Sequence, residues 1–233
     1  HVDSDSRSVL SNGSSLNPFK DIVTAINIAN DGDRILIKGE YILTNNITLP
    51  DDKSLYFYGT NGTTIKYPQM VQSNGDLIYQ PSTGCTKNYS FDNISFINAS
   101  QQAVHIRSAN RVEFHNCTFQ NNGWNGLGLN TLLPDDGTNV GYDSSDTVLD
   151  TFSSTTNITS TSGAIRVRFT NVFILDSCKL HGNNNGVELT DIGTYGFGYI
   201  SRNESYNNVG IGLQLISSTG NSSAGCSNFT IFN

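Results

Sequence analysis

Short runs along this chain alternate apolar and polar positions and then break at Asn or Gly. One frame recurs: Asn93-Ile-Ser-Phe96, Asn116-Cys-Thr-Phe119, Asn203-Glu-Ser-Tyr206 and Asn228-Phe-Thr-Ile231, with Ser177-Cys-Lys-Leu180 a degenerate copy. The copies at 93 and 116 are 23 residues apart, those at 177 and 203 are 26 apart, and those at 203 and 228 are 25 apart. A repeat of that length means stacked coils, each burying its apolar side against its neighbours. Within each copy the period of two marks a very short strand. Ile94/Phe96, Cys117/Phe119, Cys178/Leu180 and Phe229/Ile231 are then the inward positions. A polar turn follows (Asn98, Asn121-Asn-Gly123, Gly182-Asn-Asn-Asn-Gly186, Asn207-Asn208), and then a second strand: Ala103–Ile106, Gly126–Leu129, Gly186–Leu189 and Gly210–Leu213.

The N-terminal part reads differently. Val2-Asp3 is a short strand. Asn17-Pro18 opens a helix with Pro at an early position, and Phe19, Ile22, Val23, Ile26, Ile28 and Ala29 give it an apolar face. Asn30-Asp-Gly-Asp33 stops it. Arg34–Lys38, Asn46–Leu49 and Ser54–Gly59 follow as strands. The expected architecture is all-β: one right-handed parallel β-helix over 1–233, with a helical cap at 18–30 that blunts the exposed edge of the first coil. Early coils fill 31–129, an acidic loop excursion fills 130–163, and late coils fill 164–233. The last coil has no cap.

The segment from His1-Val-Asp through Asn17-Pro-Phe-Lys-Asp-Ile-Val-Thr-Ala-Ile to Asp31-Gly-Asp-Arg-Ile-Leu-Ile-Lys-Gly-Glu-Tyr41, with the later Asn/Gly coils, resembles parallel β-helix proteins of the pectate-lyase-like superfamily. The resemblance implies the fold. It leaves the activity open, because the superfamily holds polysaccharide lyases, epimerases and glycosidases, bacteriophage tailspikes, and adhesins without catalysis. The chain lacks the superfamily's Asn-Thr-Asp plus Gly-His-Gly, Asp-Pro-His and Arg-x-Pro-x-x-Arg signatures.

Charge narrows the choice. Only 14% of residues are charged and the formal net charge is −7, which excludes a general nucleic-acid binder. No apolar run is long enough for a membrane span and no signal peptide is present. The chain opens at His1 rather than Met, which reads as a processed form or a fragment. Cys85, Cys117, Cys178 and Cys226 form no C-x-x-C pair, so either they make two disulfides or Cys117 and Cys178 are small buried hydrophobes.

Eleven Asn-x-Ser/Thr sequons occur, which reads as an extracellular, glycosylated chain on a cell or virion surface. Asn93, Asn116, Asn203 and Asn228 share one column and are expected to form a buried amide ladder, which makes them poor glycan acceptors. The loop sequons Asn12, Asn61, Asn157 and Asn221 are better ones.

The repeat breaks over 130–163, where five Asp and no Lys or Arg occur. Asp135, Asp136, Asp143 and Asp146 are a candidate Ca²⁺ site by their oxygen ligands, against a solvated acidic loop; no cofactor is otherwise required. The same alignment places Asp92, His115, Asp176 and Arg202 in one column, as either an acid/base site or a surface ion-pair ladder. His105/Arg107 and Arg166/Arg168 read as solvated strand faces, with a sugar site as the alternative. Three function classes follow. The first is a non-catalytic structural or adhesive module of a surface appendage, fibre or spike that self-associates head to tail or as a trimer and engages glycan. The second is a polysaccharide lyase or epimerase using the His115/Asp176/Arg202 column. The third is a tailspike.

Overall fold

In the computed structural model the described residues are 1–6, 12–60, 62–68, 75–123, 163–190, 192, 197–208, 212–216 and 229–232. Among the described residues the period-two runs form twenty strands in three all-parallel sheets, so the chain is an all-β parallel β-solenoid.

The first sheet runs β1 (Val2–Asp3), β2 (Asp33–Lys38), β5 (Leu55–Gly59), β8 (Asn88–Asp92), β11 (Ala109–His115), β14 (Thr170–Asp176), β17 (Phe197–Ser201) and β20 (Phe229–Phe232). The second holds β3 (Glu40–Ile42), β6 (Thr64–Lys66), β9 (Ser95–Ile97), β12 (Thr118–Gln120), β15 (Lys179–His181) and β18 (Glu204–Tyr206). The third holds β4 (Ile47–Thr48), β7 (Ile78–Gln80), β10 (Val104–Ile106), β13 (Gly163–Arg168), β16 (Asn185–Thr190) and β19 (Leu213–Ile216). Six successive coils, from β2–β4 to β17–β19, thus take one strand from each sheet, with β1 and β20 flanking them.

Alternation sends every second side chain inward, where like meets like between coils. Phe57, Phe91 and Phe114 stack in the first sheet at 5.1 and 5.3 Å between ring centroids. Phe96 and Phe119 stack in the second at 5.2 Å, and the two columns meet edge to face through Phe114 and Phe119. All of these rings are essentially fully buried. Cys117 and Cys178 continue the inward column below Ile94 as free thiols, and Cys85 is also free and buried. The reading of Cys117 and Cys178 as small buried hydrophobes is therefore the correct one, and Cys85 joins them. Burial pushes the Cys117 thiol well above its usual range, which leaves it unreactive. Cys226 lies outside the described residues.

The helix is shorter than 18–30. It spans Ile22–Ile28, and Asp21, not Asn17, is its N-cap, accepting from the Thr24 amide. Pro18 stays outside because Phe19 is held in extended form: its amide donates to the His1 carbonyl and its own carbonyl accepts from Asp3. Ile22, Ala25 and Ile26 are buried, whereas Val23 and Ile28 face solvent. Lys53 Nζ tethers the helix C-terminus through the carbonyls of Ile26 and Ala29. The helix packs on β2 and β4, covering that end of the stack. At the opposite end, among the described residues, β20, β18 and β19 are the outermost strands. There Tyr206, Leu215, Ile231 and Phe232 are exposed.

Candidate functional site

In four coils of the stack, two turns each carry left-handed residues. Asn93, Asn116, Ser177 and Arg202 take φ of 57, 52, 55 and 53° between the first and second sheets. Asn98, Asn121, Gly182 and Asn207 take 65, 55, 63 and 53° after the second. Gly adopts this conformation readily because it has no Cβ, and Asn because its short polar side chain can hydrogen-bond locally and so offset the Cβ clash.

This register corrects the expected Asn ladder. Asn93 and Asn116 are exposed. Their amides donate to the Gly59 carbonyl and the Asp92 carboxylate rather than to one another. Asn203 is one position out of the column, because Glu204 pairs with Lys179 and Arg202 takes the left-handed turn. Its amide fills the place that Cys178 holds one coil earlier, donating to the Leu175 carbonyl and accepting from the Cys178 amide. The slip turns Tyr206 outward, where it stacks on His181 at 5.1 Å with the ring planes 2° apart. Asn228 lies outside the described residues, as do Asn61, Asn157 and Asn221, residues 130–162, and Asp135, Asp136, Asp143 and Asp146. Asn12 is described and exposed.

The true amide ladder is Asn122, Asn183 and Asn208. Asn122 donates to the Phe96 carbonyl and to Asn183 Oδ1, and accepts from the Ala99 amide. Asn183 donates to the Phe119 carbonyl and to Asn208 Oδ1, and its Oδ1 accepts from the Asn122 backbone amide. Asn122 and Asn183 are wholly buried.

Of the candidate acid/base column, Asp92, His115 and Asp176 are register neighbours on β8, β11 and β14. The fourth position belongs to Ser201. Arg202 still arrives by reaching back, with Nε 2.9 Å from Asp176 Oδ1 and a second hydrogen bond from Nη2 to Oδ2. Ser201 Oγ donates to the same carboxylate. The Arg202 guanidinium and the Ser201 hydroxyl hold the Asp176 carboxyl below its ordinary value, against its partial burial. A folded-state value below the unfolded one stabilises the fold above about pH 4 and loses that contribution as pH falls through the folded value. Asp176→Asn is therefore expected to flatten the acid limb of a stability-versus-pH profile; an unchanged limb in urea titrations at stepped pH would refute the pairing.

The second cluster lies on the outer face of the third sheet. Alternation turns Tyr79, His105, Arg166 and Glu188 outward in one row across β7, β10, β13 and β16. The expectation of a solvated face is wrong for most of this row. Glu188 is 3% exposed, and the side chains of His105 and Arg166 are 16% and 17% exposed. His105 Nδ1 lies 3.1 Å from Asp76 Oδ2, and Asp76 is itself fixed by the Gln102 amide. A carboxylate only accepts, so Nδ1 carries the proton. The ring leans on Tyr79 at 5.1 Å. Arg166 Nε donates to Glu188 Oε1 at 2.7 Å, and Arg168 Nη2 approaches the same oxygen at 3.7 Å. Glu188 Oε2, Arg168 Nε and His105 Nε2 are buried with no partner. Asp76 and Glu188 were not foreseen as site residues. The available signal was Glu188 itself, a lone charge inside the apolar run Gly186–Leu189.

No family model, curated protein or solved structure matches the chain. The fold is thus assigned from strand pairing alone, and the chemistry from these two clusters. Among the described residues no three His, Cys, Asp or Glu side chains converge to hold a metal ion. No helix among them is long and apolar enough to cross a membrane.

Proposed function

We propose that the protein is a structural and adhesive β-solenoid of an extracellular surface that engages glycan and further coils without turning over a polysaccharide. Asp176 carries this reading. It is the central carboxylate of the column that a lyase or epimerase would use, and both of its oxygens are committed to Arg202 and Ser201. A carboxylate stabilised in its charged form is a weak proton acceptor. The outermost strands β18, β19 and β20, with Tyr206, Leu215, Ile231 and Phe232 exposed, support stacking of a further parallel coil, from this chain's own continuation or from another copy. Exposed Asn93 and Asn116 join Asn12 as candidate glycan carriers.

The test is turnover. Wild-type protein and His115→Ala are expected to release no product from a panel of uronate and neutral polysaccharides. Product formation that disappears in His115→Ala would sink the reading in favour of an enzyme. Native mass measurement of the source material is expected to find assemblies of several copies.

A further inference from the structure

The outer face of the first sheet changes character partway along the stack. Alternation sends one row of side chains outward through Asn88, Arg111, Val172 and Phe197, and the next through Ser90, Glu113, Ile174 and Tyr199. Both rows are polar on β8 and β11 and apolar on β14 and β17. Phe232 on β20 extends the apolar part, its ring meeting Tyr199 edge to face at 5.2 Å. A solvated sheet face keeps its outward positions polar, yet Phe197 and Phe232 are 43% and 50% exposed. Phe169, three residues ahead of Val172, is 49% exposed at φ 46°. A bulky residue in the left-handed region is held against its backbone preference, and strain of this kind points to function. We propose that this face docks laterally on a second copy of the chain, patch against patch about a two-fold axis.

Size, charge and symmetry select that occupant. The three exposed phenylalanines, with the half-buried Val172, Ile174 and Tyr199, present about 400 Å² of apolar surface, taking about 200 Å² for a whole aromatic side chain. A contiguous patch of that size is often a binding site. Two of them face to face, in an interface about 65% apolar, bury about 1,200 Å² in total, the low end for a specific contact. Micromolar affinity is the expectation. The rim is neutral: Arg111 pairs with Glu113 on one side, and Arg202 with Asp176 on the other. Two copies of net charge −7 therefore meet without like-charge repulsion where they touch. Both rim arginines are already paired, which disfavours an anionic lipid surface as the occupant. One self-matching patch gives a closed two-fold pair, whereas a ring or filament needs two different surfaces.

The contact is lateral and stands apart from end-to-end stacking on β18, β19 and β20. It is tested by sedimentation equilibrium over about 1–200 µM, a span that brackets the expected affinity. The full chain is compared with Leu215→Asp, which disrupts the open end. Both are expected to pass from one-chain to two-chain mass as concentration rises. In the Leu215→Asp background, Phe197→Asp should weaken pairing at least about tenfold, as losing a central aromatic anchor does. Phe169→Gly removes a ring and the backbone strain together. It should weaken pairing about tenfold while keeping or raising the melting temperature. Circular dichroism establishes that every variant folds. One-chain mass at every concentration, a three-chain species, or pairing that both Phe variants leave intact would overturn the inference. Pairing lost in Leu215→Asp alone would also overturn it, assigning the contact to the open end and leaving the stacking reading supported. One-chain mass together with co-sedimentation on phosphatidylcholine vesicles would give the patch to a lipid surface instead.

Discussion

Asn183→Ala is expected to destabilise the protein by about 2–6 kcal/mol. The substitution orphans two buried backbone groups. The Asn122 backbone amide loses its acceptor and the Phe119 carbonyl loses its donor. Both sit beside side chains with essentially no solvent exposure. Each buried backbone group left unpaired costs about 1–3 kcal/mol. A domain of this kind has about 5–15 kcal/mol in total, so the loss is a large share. Urea unfolding monitored by far-UV circular dichroism measures it. Asn116→Ala is the control: Asn116 is exposed and its amide reaches only Asp92, so the cost is mostly that of holding Ala at φ 52° without the polar side chain that makes Asn tolerant there, about 1–2 kcal/mol. Asn116→Gly should recover most of that. Equal losses at 116 and 183 would mean that the ladder has been assigned to the wrong column.

The contrast between these two residues shows where the sequence was legible. Period-two runs and the recurring frame gave the solenoid, the inward Phe91/Phe114 and Phe96/Phe119 columns, and the strands that became β10 and β16. These depend only on local alternation between neighbouring coils. The Asn frame was conspicuous for a different reason: its left-handed turn favours Asn at an exposed position. The buried Asn122, Asn183 and Asn208 look like ordinary turn residues in sequence. What sets them apart is position, each three residues beyond an inward one (Phe119, Leu180, Ser205) and just after a left-handed Asn or Gly.

Register failed at Asn203 because one frame was extended through a coil where Arg202 had taken the turn. A shift of one residue exchanges the two faces. That exchange removed Arg202 from the column while its long side chain still reached Asp176. The third-sheet cluster was half legible. Arg166 and Arg168 were seen in alternation, but burial of an outward face follows from tertiary packing, which period alone does not carry. The partner of β10 also proved to be Gly163–Arg168, whereas the expected Gly126–Leu129 lies outside the described residues. The row joining His105 to Arg166 therefore spans a gap of sixty-one positions that no local pattern bridges.

Phe114→Ala is expected to cost about 3–5 kcal/mol, the range for deleting a buried Phe side chain. Phe114 touches rings on both sides in the stack, Phe91 at 5.3 Å and Phe173 at 6.3 Å, and Phe119 across the core at 5.5 Å. Its neighbours are pinned by strand pairing in adjacent coils, so they cannot collapse into the space, and the cavity remains. In a one-dimensional stack the damage is also topological. Each coil is stabilised by its two interfaces, and a weakened middle interface lets the halves unfold separately. The denaturant slope should therefore fall along with the midpoint. Phe232→Ala, at a side chain 50% exposed on β20, should stay within about 0.5 kcal/mol with no change in slope. A Phe114→Ala transition with an unaltered slope would mean that the coils unfold as one unit, and that the interface at Phe114 is no weak point of the stack.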